Sequence, residues 1–451
     1  MRYKAKKRYS ALSTVVTFTL KQSKDHCMVN EHNKKRIKAQ SKKMVVGIDI
    51  AKHAHYVTLL DQAGNETSSG IKIENNLDGF KKLEKMLSSV APHDVIIGVE
   101  PTGHYWKCLG YHFAQKNYDI VLTNPFHVHR SKEIIDNSRT KNDKKDSRVI
   151  AQLVRGGNYL QSVLLTGNSA NLRRLSHLRE SIVKNATQSK IRLRVLLDEY
   201  LPEHDTCFSA IDTVSCRKLL RTYGISGLRA KEFHEEKVGL IVKASRHRIT
   251  RNRAENIIKC FEQSIGITAG LDAAEIELVT QLDRLEFHLS ELESIEQHIK
   301  RYLDKTDEAQ TLLQIPGVGP ITVASLLGEI GSFLAFANVK QLEKFAGLNL
   351  VENASGKFKG RNKISKRGRP LLRQALYKAT LTVTRSSKEF NALYRYKTEQ
   401  CHKPGRVALT TVAAKLLRTM FALANKKCTY EGGLVIQGLP NALRQGIHAH
   451  P

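Results

Sequence analysis

Leu278, Leu282, Leu285, Leu289, Leu292, Ile299 and Leu303 follow one another in alternating steps of four and three, broken only at Glu296, where Ile295 stands alongside. A heptad seam of that length belongs to a long helix, here about 272–303, lying along another helix. It excludes an all-β fold. Leu172, Leu175, Leu178, Ile182, Ala186, Leu193 and Leu196 mark a second long amphipathic helix. The two helices can pair within one chain or between chains, and the heptad at Leu278 to Leu303 offers a dimerisation surface. Between them, about 205–270, the sequence is basic and helical in texture.

The texture before these helices is different. Val45 to Ile50 is a short apolar run that reads as a buried strand. His55 to Leu60 reads as a second strand and Ile71 to Ile73 as a short third, with the turn residues Asp61-Gln62-Ala63-Gly64-Asn65 between those two. Leu77, Phe80, Leu83 and Leu87 then recur at helical spacing. Val95 to Val99 and Ile120 to Thr123 are further strands, with helical texture at Tyr105 to Lys116 and Asp143 to Val154. Three meandering strands followed by alternating helices and strands make a mixed α/β sheet. That is also the element order of an RNase-H-like fold.

Charge narrows the function. Lys and Arg number 73 against 43 Asp and Glu in 451 residues, a formal net charge of +30. Such a surplus calls for a polyanionic partner, and nucleic acid is the usual one. No apolar run approaches the roughly 20 residues of a membrane span, so no membrane is expected. The seven cysteines form no C-x-x-C pair. They point to reduced thiols in a cytosolic protein rather than to zinc or a disulfide framework. The first 43 residues hold 13 Lys/Arg and only Asp25 and Glu31 as acids. They read as a nucleic-acid-contacting arm or as a disordered extension before a folded part that starts at Met44.

Asp49 interrupts the apolar strand Val46-Gly47-Ile48-Asp49-Ile50, and Glu100 ends the strand Val95 to Val99. A carboxylate there is costly unless a partner or cation compensates it. Asp143 and Asp146, three apart, share one helix face, and Ile150 on that face could dock it on the sheet. Each acid alone fits a turn or cap equally well. In the order strand, strand, helix they form an oxygen-rich site for hard divalent cations, which can serve both oxygens of a phosphodiester exchange.

Two features lie further on. Ile315-Pro316-Gly317-Val318-Gly319-Pro320 joins two helical segments. Gly317 and Gly319 allow a tight turn whose backbone N–H groups could hold a phosphate, as in a helix–hairpin–helix, or the turn is a plain connector. From Gly356 to Arg373 there are eight cations and no acid: Lys357, Lys359, Arg361, Lys363, Lys366, Arg367, Arg369 and Arg373. They suit phosphate backbones. Ser355 at their edge is either a turn residue or a nucleophile whose target charge the cations offset.

These features occur together in one family. The chain resembles the DEDD transposases of the IS110 insertion-sequence family, the RNA-guided bridge recombinases. The resemblance runs through Gly47-Ile48-Asp49-Ile50-Ala51-Lys52, Val99-Glu100-Pro101-Thr102-Gly103-His104-Tyr105-Trp106 and Asp143-Lys144-Lys145-Asp146. It resumes at Ile315-Pro316-Gly317-Val318-Gly319, Phe345-Ala346-Gly347-Leu348, Ser355-Gly356-Lys357-Phe358-Lys359-Gly360 and Ile364-Ser365-Lys366-Arg367-Gly368. It covers about residues 44–427. Asn142 stands where a threonine is common, and Ala354 where a glutamine often precedes the serine; neither removes a ligand or the nucleophile.

The resemblance implies a basic extension (1–43), an α/β RNase-H-like (RuvC-like) DEDD domain (44–165) and a helical coiled-coil region (166–305). A mostly α-helical transposase domain with a helix–hairpin–helix (306–427) and a tail (428–451) follow. It places the four acids on Asp49, Glu100, Asp143 and Asp146 and the catalytic serine on Ser355, with Mg²⁺ or Mn²⁺ as cofactor. It implies a homo-oligomer, dimer or tetramer, in which acids and serine of different protomers act on one strand. Donor and target DNA would be chosen by a noncoding bridge RNA, in the cytoplasm of a bacterium or archaeon, at the nucleoid. Two rivals remain open: a nuclease or junction resolvase that uses water, and a scaffold that only binds nucleic acid.

Overall fold

The computed structural model describes residues 31–101, 103–135, 143–162, 164–351, 354–355, 358–360, 363–426 and 428–437. The chain divides into two compact units, Met1–Leu164 and Leu165–Pro451.

The first unit is a six-stranded sheet in the order β3-β2-β1-β4-β5-β6. Strands β1 (Met44–Ile50), β2 (Ala54–Asp61) and β3 (Glu66–Glu74) form an antiparallel meander, and β4 (Val95–Val99) and β5 (Asp119–Leu122) run parallel to β1. The Asp61 carboxylate closes the β2–β3 turn by accepting the Gly64 and Asn65 N–H groups, both at 2.7 Å. β3 is nine residues long, far beyond Ile71 to Ile73, because its polar first half still pairs with β2. β6 (Leu160–Gln161), antiparallel to β5, has no apolar pattern to announce it.

Residues 31–40 form a helix, α1, inside the segment expected to be an extension. Its Ala39 is buried with Val45, Leu60 and Ile96. Lys38 and Lys42 both pair with Asp119, at 3.1 and 2.8 Å. The described fold therefore begins before Met44. One alanine and a set of ion pairs anchor this helix, so no apolar stripe betrays it. Helices α2 (Leu77–Leu87) and α3 (Trp106–Gln115) cover one face of the sheet through Phe80, Leu83, Trp106 and Phe113. After α4 (Pro125–Ile135), α5 (Asp143–Arg155) lies on the opposite face with Ala151 and Val154.

The second unit is built on α6 (Gly167–Tyr200) and α11 (Leu271–Leu303). Between them come α7 (His204–Cys207), α8 (Val214–Arg229, broken at Gly224), α9 (His234–Ala244) and α10 (Arg251–Glu262). Leu193 and Leu197 of α6 cluster with Leu278 and Leu282 of α11, whereas Leu172 and Ile182 cluster with Ile295, Ile299 and Leu303. Arg179 and Glu296 pair across the middle. The two helices are thus antiparallel partners within one chain. The seam read as a dimerisation surface is consumed by α6.

The remainder is a helical core of α12 (Asp307–Leu313), α13 (Pro320–Ile330), α14 (Val339–Ala346), α15 (Pro370–Ser386), α16 (Lys388–Arg395) and α17 (Gly405–Lys426). Four two-residue strands stand between α14 and α15: β7 (Leu350–Val351), β8 (Ala354–Ser355), β9 (Phe358–Lys359) and β10 (Lys363–Ile364). α17 is long and apolar enough to cross a membrane, which the search for apolar runs missed because Thr410, Thr411, Lys415, Arg418 and Thr419 interrupt every run. Its Val412, Leu416, Leu417 and Met420 are fully buried in this core.

Candidate active sites

In the first unit, a pair of glycines sets the depth at which α5 docks. Gly47 and Gly98 sit side by side in β1 and β4. A Cβ on Gly47 would lie 2.1 Å from the Ser147 carbonyl oxygen and 2.3 Å from the Ala151 nitrogen. On Gly98 it would lie 2.2 Å from Val154 Cγ2. The helix backbone therefore rests almost on the strands. The Thr58 and Ser147 hydroxyls, 2.8 Å apart and buried, fix its register.

This docking places the acids. Val45 clusters with Ala151 and Val154, and Gly47 meets Ser147 and Ala151, so α5 runs antiparallel to β1. Asp49 points to the same face as Val45 and Gly47, because side chains alternate along a strand. It therefore stands at the end of β1 beside the first turn of α5, where Asp143 and Asp146 lie. Glu100 follows Val99 and continues the α5-side positions Ile96 and Gly98. Asp49, Glu100 and Asp146 are each half-buried. The side chain of Asp143 lies outside the described residues, as do Thr102 and Asn142. Among the described residues, no three His, Cys, Asp or Glu side chains are gathered closely enough to hold an ion. Asp49, Glu100 and Asp146 bring carboxylates to this end of the sheet, the chemistry a hard divalent cation takes.

His55, which sequence reading passed over, braces the loop after Asp49 from the opposite face. The Ala51 N–H donates to its Nδ1 at 3.4 Å, and its ring stacks 6.5 Å from Phe80. Burial pushes its pKa down from the usual histidine value, against a smaller upward pull from Asn75.

In the second unit, Ser355 pairs with Phe358 across a hairpin of β8 and β9. The flanking strands β7 and β10 pair with each other. Below them the Ser365 hydroxyl bonds Asn349 Oδ1 at 2.6 Å, and the Lys366 and Arg369 N–H groups donate to the Gly347 and Phe345 carbonyls. Gly347, at φ 69°, makes this turn possible. Of the eight cations, Lys363, Lys366 and Arg367 are exposed. Lys357, Arg361 and the side chain of Lys359 lie outside the described residues. Arg369 and Arg373 already have protein partners. Arg369 stacks 4.9 Å from the Phe345 ring and pairs with Glu329 at 3.3 Å, and Arg373 donates to the Ala346 carbonyl at 3.1 Å.

Glu329, only 5 % exposed, is a second residue the sequence did not announce. His177 bonds it at 2.6 Å, and Arg173 lies 3.9 Å away. Burial alone would raise its pKa. The His177 hydrogen bond and the Arg173 and Arg369 charges outweigh that and hold it below the usual range. An acid inside an apolar helix face thus anchors the base of the serine-bearing segment.

Gly317, at φ 85°, packs against α15, where Thr382 donates to its carbonyl at 2.7 Å. A Cβ there would meet the Thr382 and Val383 backbone at 2.9 Å. Gly319 faces open space at the start of α13.

Comparison with known proteins agrees with this arrangement. A transposase family model, the DEDD type of IS110, matches residues 46–202, and that of the IS116/IS110/IS902 transposase family matches 309–395. The chain is 25 % identical over 331 residues to a mini-circle putative transposase for IS117 of Streptomyces coelicolor, covering 70 % of this chain and 78 % of that one. It is 24 % identical to the transposase for insertion sequence element IS1111A of Coxiella burnetii, over 78 % and 82 % of the two chains. A pilin gene-inverting protein of Moraxella bovis is 22 % identical over 86 % of this chain and 98 % of its own. Sheet, acids, serine segment and these matches lead to one conclusion: the chain belongs to the IS110 family of insertion-sequence transposases, enzymes of DNA recombination.

Proposed function

We propose that this transposase breaks and rejoins DNA with Ser355 as nucleophile, assisted by a divalent metal held by Asp49, Glu100, Asp143 and Asp146. The observation that carries the proposal is the common placement of Asp49, Glu100 and the first turn of α5 at one end of one sheet face. The meander β3-β2-β1 followed by parallel β4 and β5 supports reading the unit as RNase-H-like, of the RuvC type. Mg²⁺ or Mn²⁺ would supply positive charge to the phosphate oxygens.

The Ser355 hydroxyl loses its proton and attacks phosphorus. The bond to the departing strand breaks, and that strand leaves with its own hydroxyl. The resulting phosphoserine ester is attacked by a hydroxyl of another strand, which restores the serine. One phosphoester is exchanged for another at each step, so no nucleotide hydrolysis is required. Lys363, Lys366 and Arg367, with Lys357, Lys359 and Arg361, offset phosphate charge near the serine. Gly319 and the N–H groups that open α13 suit a backbone phosphate, as in a helix–hairpin–helix.

The family resemblance and the charge of +30 support a bridge RNA as guide and a homo-oligomer as the working form. The same resemblance supports the division into segments 44–165, 166–305, 306–427 and 428–451, with α1 joined to the first of them.

The test is covalent trapping. Protein, Mg²⁺, the RNA transcribed from the element's flank and labelled donor DNA are mixed and resolved on a denaturing gel. A protein–DNA adduct is expected from the native chain and from neither Ser355→Ala nor Asp49→Ala. Cleavage that persists in Ser355→Ala without an adduct would overturn the serine assignment in favour of water as nucleophile.

A further inference from the structure

Residues 203–308 fall between the two family matches. Here α8, α9 and α10 pack around Leu219, Leu220, Ile241, Ile257, Ile258 and Phe261. The turn joining α9 to α10 is tightly built. The Ser245 N–H donates to Ile241 and the His247 N–H to Val242, at 2.9 and 3.0 Å. The Ser245 hydroxyl donates to the Val242 carbonyl at 2.9 Å and accepts the Ile249 N–H at 3.1 Å. Arg246 and His247 are both left-handed, at φ 54° and 60°. Two successive non-glycine residues in that region carry a cost. Both side chains, and that of Arg248, end up exposed.

α10 buries Ala254, Ile257, Ile258 and Phe261. Its opposite face exposes Asn252, Arg253, Asn256 and Lys259. Glu255, one turn before Lys259, borders that face. Glu255 is paired with Arg251 at 3.1 Å, and Glu262 with His234 at 2.8 Å.

We propose that α8–α10 is a helix–turn–helix module that seats α10 in the major groove of duplex DNA. Asn252, Arg253, Asn256 and Lys259 face the base edges, and Lys243, Arg246 and Arg248 grip the flanking phosphates. The side-chain types choose the partner. Asn pairs bidentately with adenine and Arg with guanine in the major groove of B-form DNA. The major groove of A-form RNA is too deep and narrow for a helix. Single strands are held by aromatic stacking, and the exposed face of α10 carries no ring. The inference goes beyond RNA guidance, since it adds sequence preference read by the protein itself. It uses neither the acids nor Ser355.

The experiment selects bound duplexes from a random-core pool with the full chain carrying Ser355→Ala, in chelator, so that binding is read without strand transfer. Arg253→Ala with Asn256→Ala is expected to erase preference at one or two base pairs by roughly 5- to 100-fold each. Arg246→Ala with Arg248→Ala is expected to weaken all sequences alike and to lower the salt-dependence slope by about two. These positions are exposed, and circular dichroism verifies the fold of each variant. Cys260, exposed beside Lys259, gives an independent reading. Duplex DNA should slow its alkylation, with Cys108 and Cys428 as references, and hairpin RNA should not. Unchanged selected motifs and salt slopes in the variants would overturn the proposal. So would alkylation of Cys260 unaffected by duplex, or slowed by RNA alone.

Discussion

Asp49 stands on a seven-residue strand with a hydrogen-bonded neighbour on each side, whereas Ser355 stands on a two-residue strand paired, among the described residues, with β9. The acids are placed by long-range packing, with two glycines letting a helix backbone close onto the sheet. Among the described residues, the small hairpin that carries the serine is anchored at its base, through Asn349, Gly347 and the Glu329–Arg369 pair. The acid-bearing end of the first unit is thus held by long-range packing and the serine-bearing segment by local contacts.

Five substitutions and one condition would break or sharpen that contrast. Gly47→Val should have the largest effect, on the order of 3 kcal/mol or more, because the new side chain meets helix backbone that cannot rotate away. Gly98→Ala should cost less, about 1 kcal/mol, since only the Val154 methyl must move. Trp106, the chain's single tryptophan, is buried in this unit, so its fluorescence follows the unfolding directly. If Gly47→Val unfolds at the native temperature, the docking account is wrong.

Next comes Glu329→Gln, with about 2–3 kcal/mol lost from the second unit. Removing one partner leaves the half-buried Arg369 poorly compensated, and His177 and Arg173, also partly solvated, lose their partner with it. Calorimetry should show this loss without any change in the Trp106 transition.

Acid should separate the two regions. The pKa of His55 is lowered on folding, so the unfolded chain binds the proton more readily. Stability of the first unit is full above 6.5, falls as pH drops below that value, and levels off beneath the folded pKa. Glu329 is also lowered, from 4.5, so its contribution is full above 4.5 and is lost only at lower pH. Trp106 fluorescence should therefore respond to acid at higher pH than the helical signal of the second unit. Coincident loss would show that neither group governs its unit.

The smallest effect is expected of the Thr58–Ser147 pair. Thr58→Val or Ser147→Ala should each cost about 1 kcal/mol by removing the hydrogen bond between the two buried hydroxyls, with the double variant costing less than the sum.

The meander and the two long helices were legible because period-two alternation and a heptad seam record which face is covered. The partner that covers the face is not recorded, so the seam of α11 read equally well as a dimer surface. Asp49 stood out as a charge inside an apolar strand. Gly47 was just as informative, but a glycine in a strand gives no sign of what approaches it. Glu329 and His55 were invisible because their partners, Arg173, Arg369 and Phe80, are brought near only by the fold. Arg369 and Arg373 looked like phosphate-binding cations for the same reason: a run of charges does not show which members the protein keeps for itself.

α6 contributes to two apolar clusters at once, and in both its partners include α11 residues about 100 positions further along the chain. During synthesis at roughly 5–20 residues per second, its apolar stripe leaves the ribosome on the order of 5–20 s before the matching stripe exists. A nascent transposase therefore displays a long uncovered helix face for much of its translation. Its yield in a cell should be governed by what shields that face in the interval, and slowing translation between codons 200 and 280 should favour aggregation over folding.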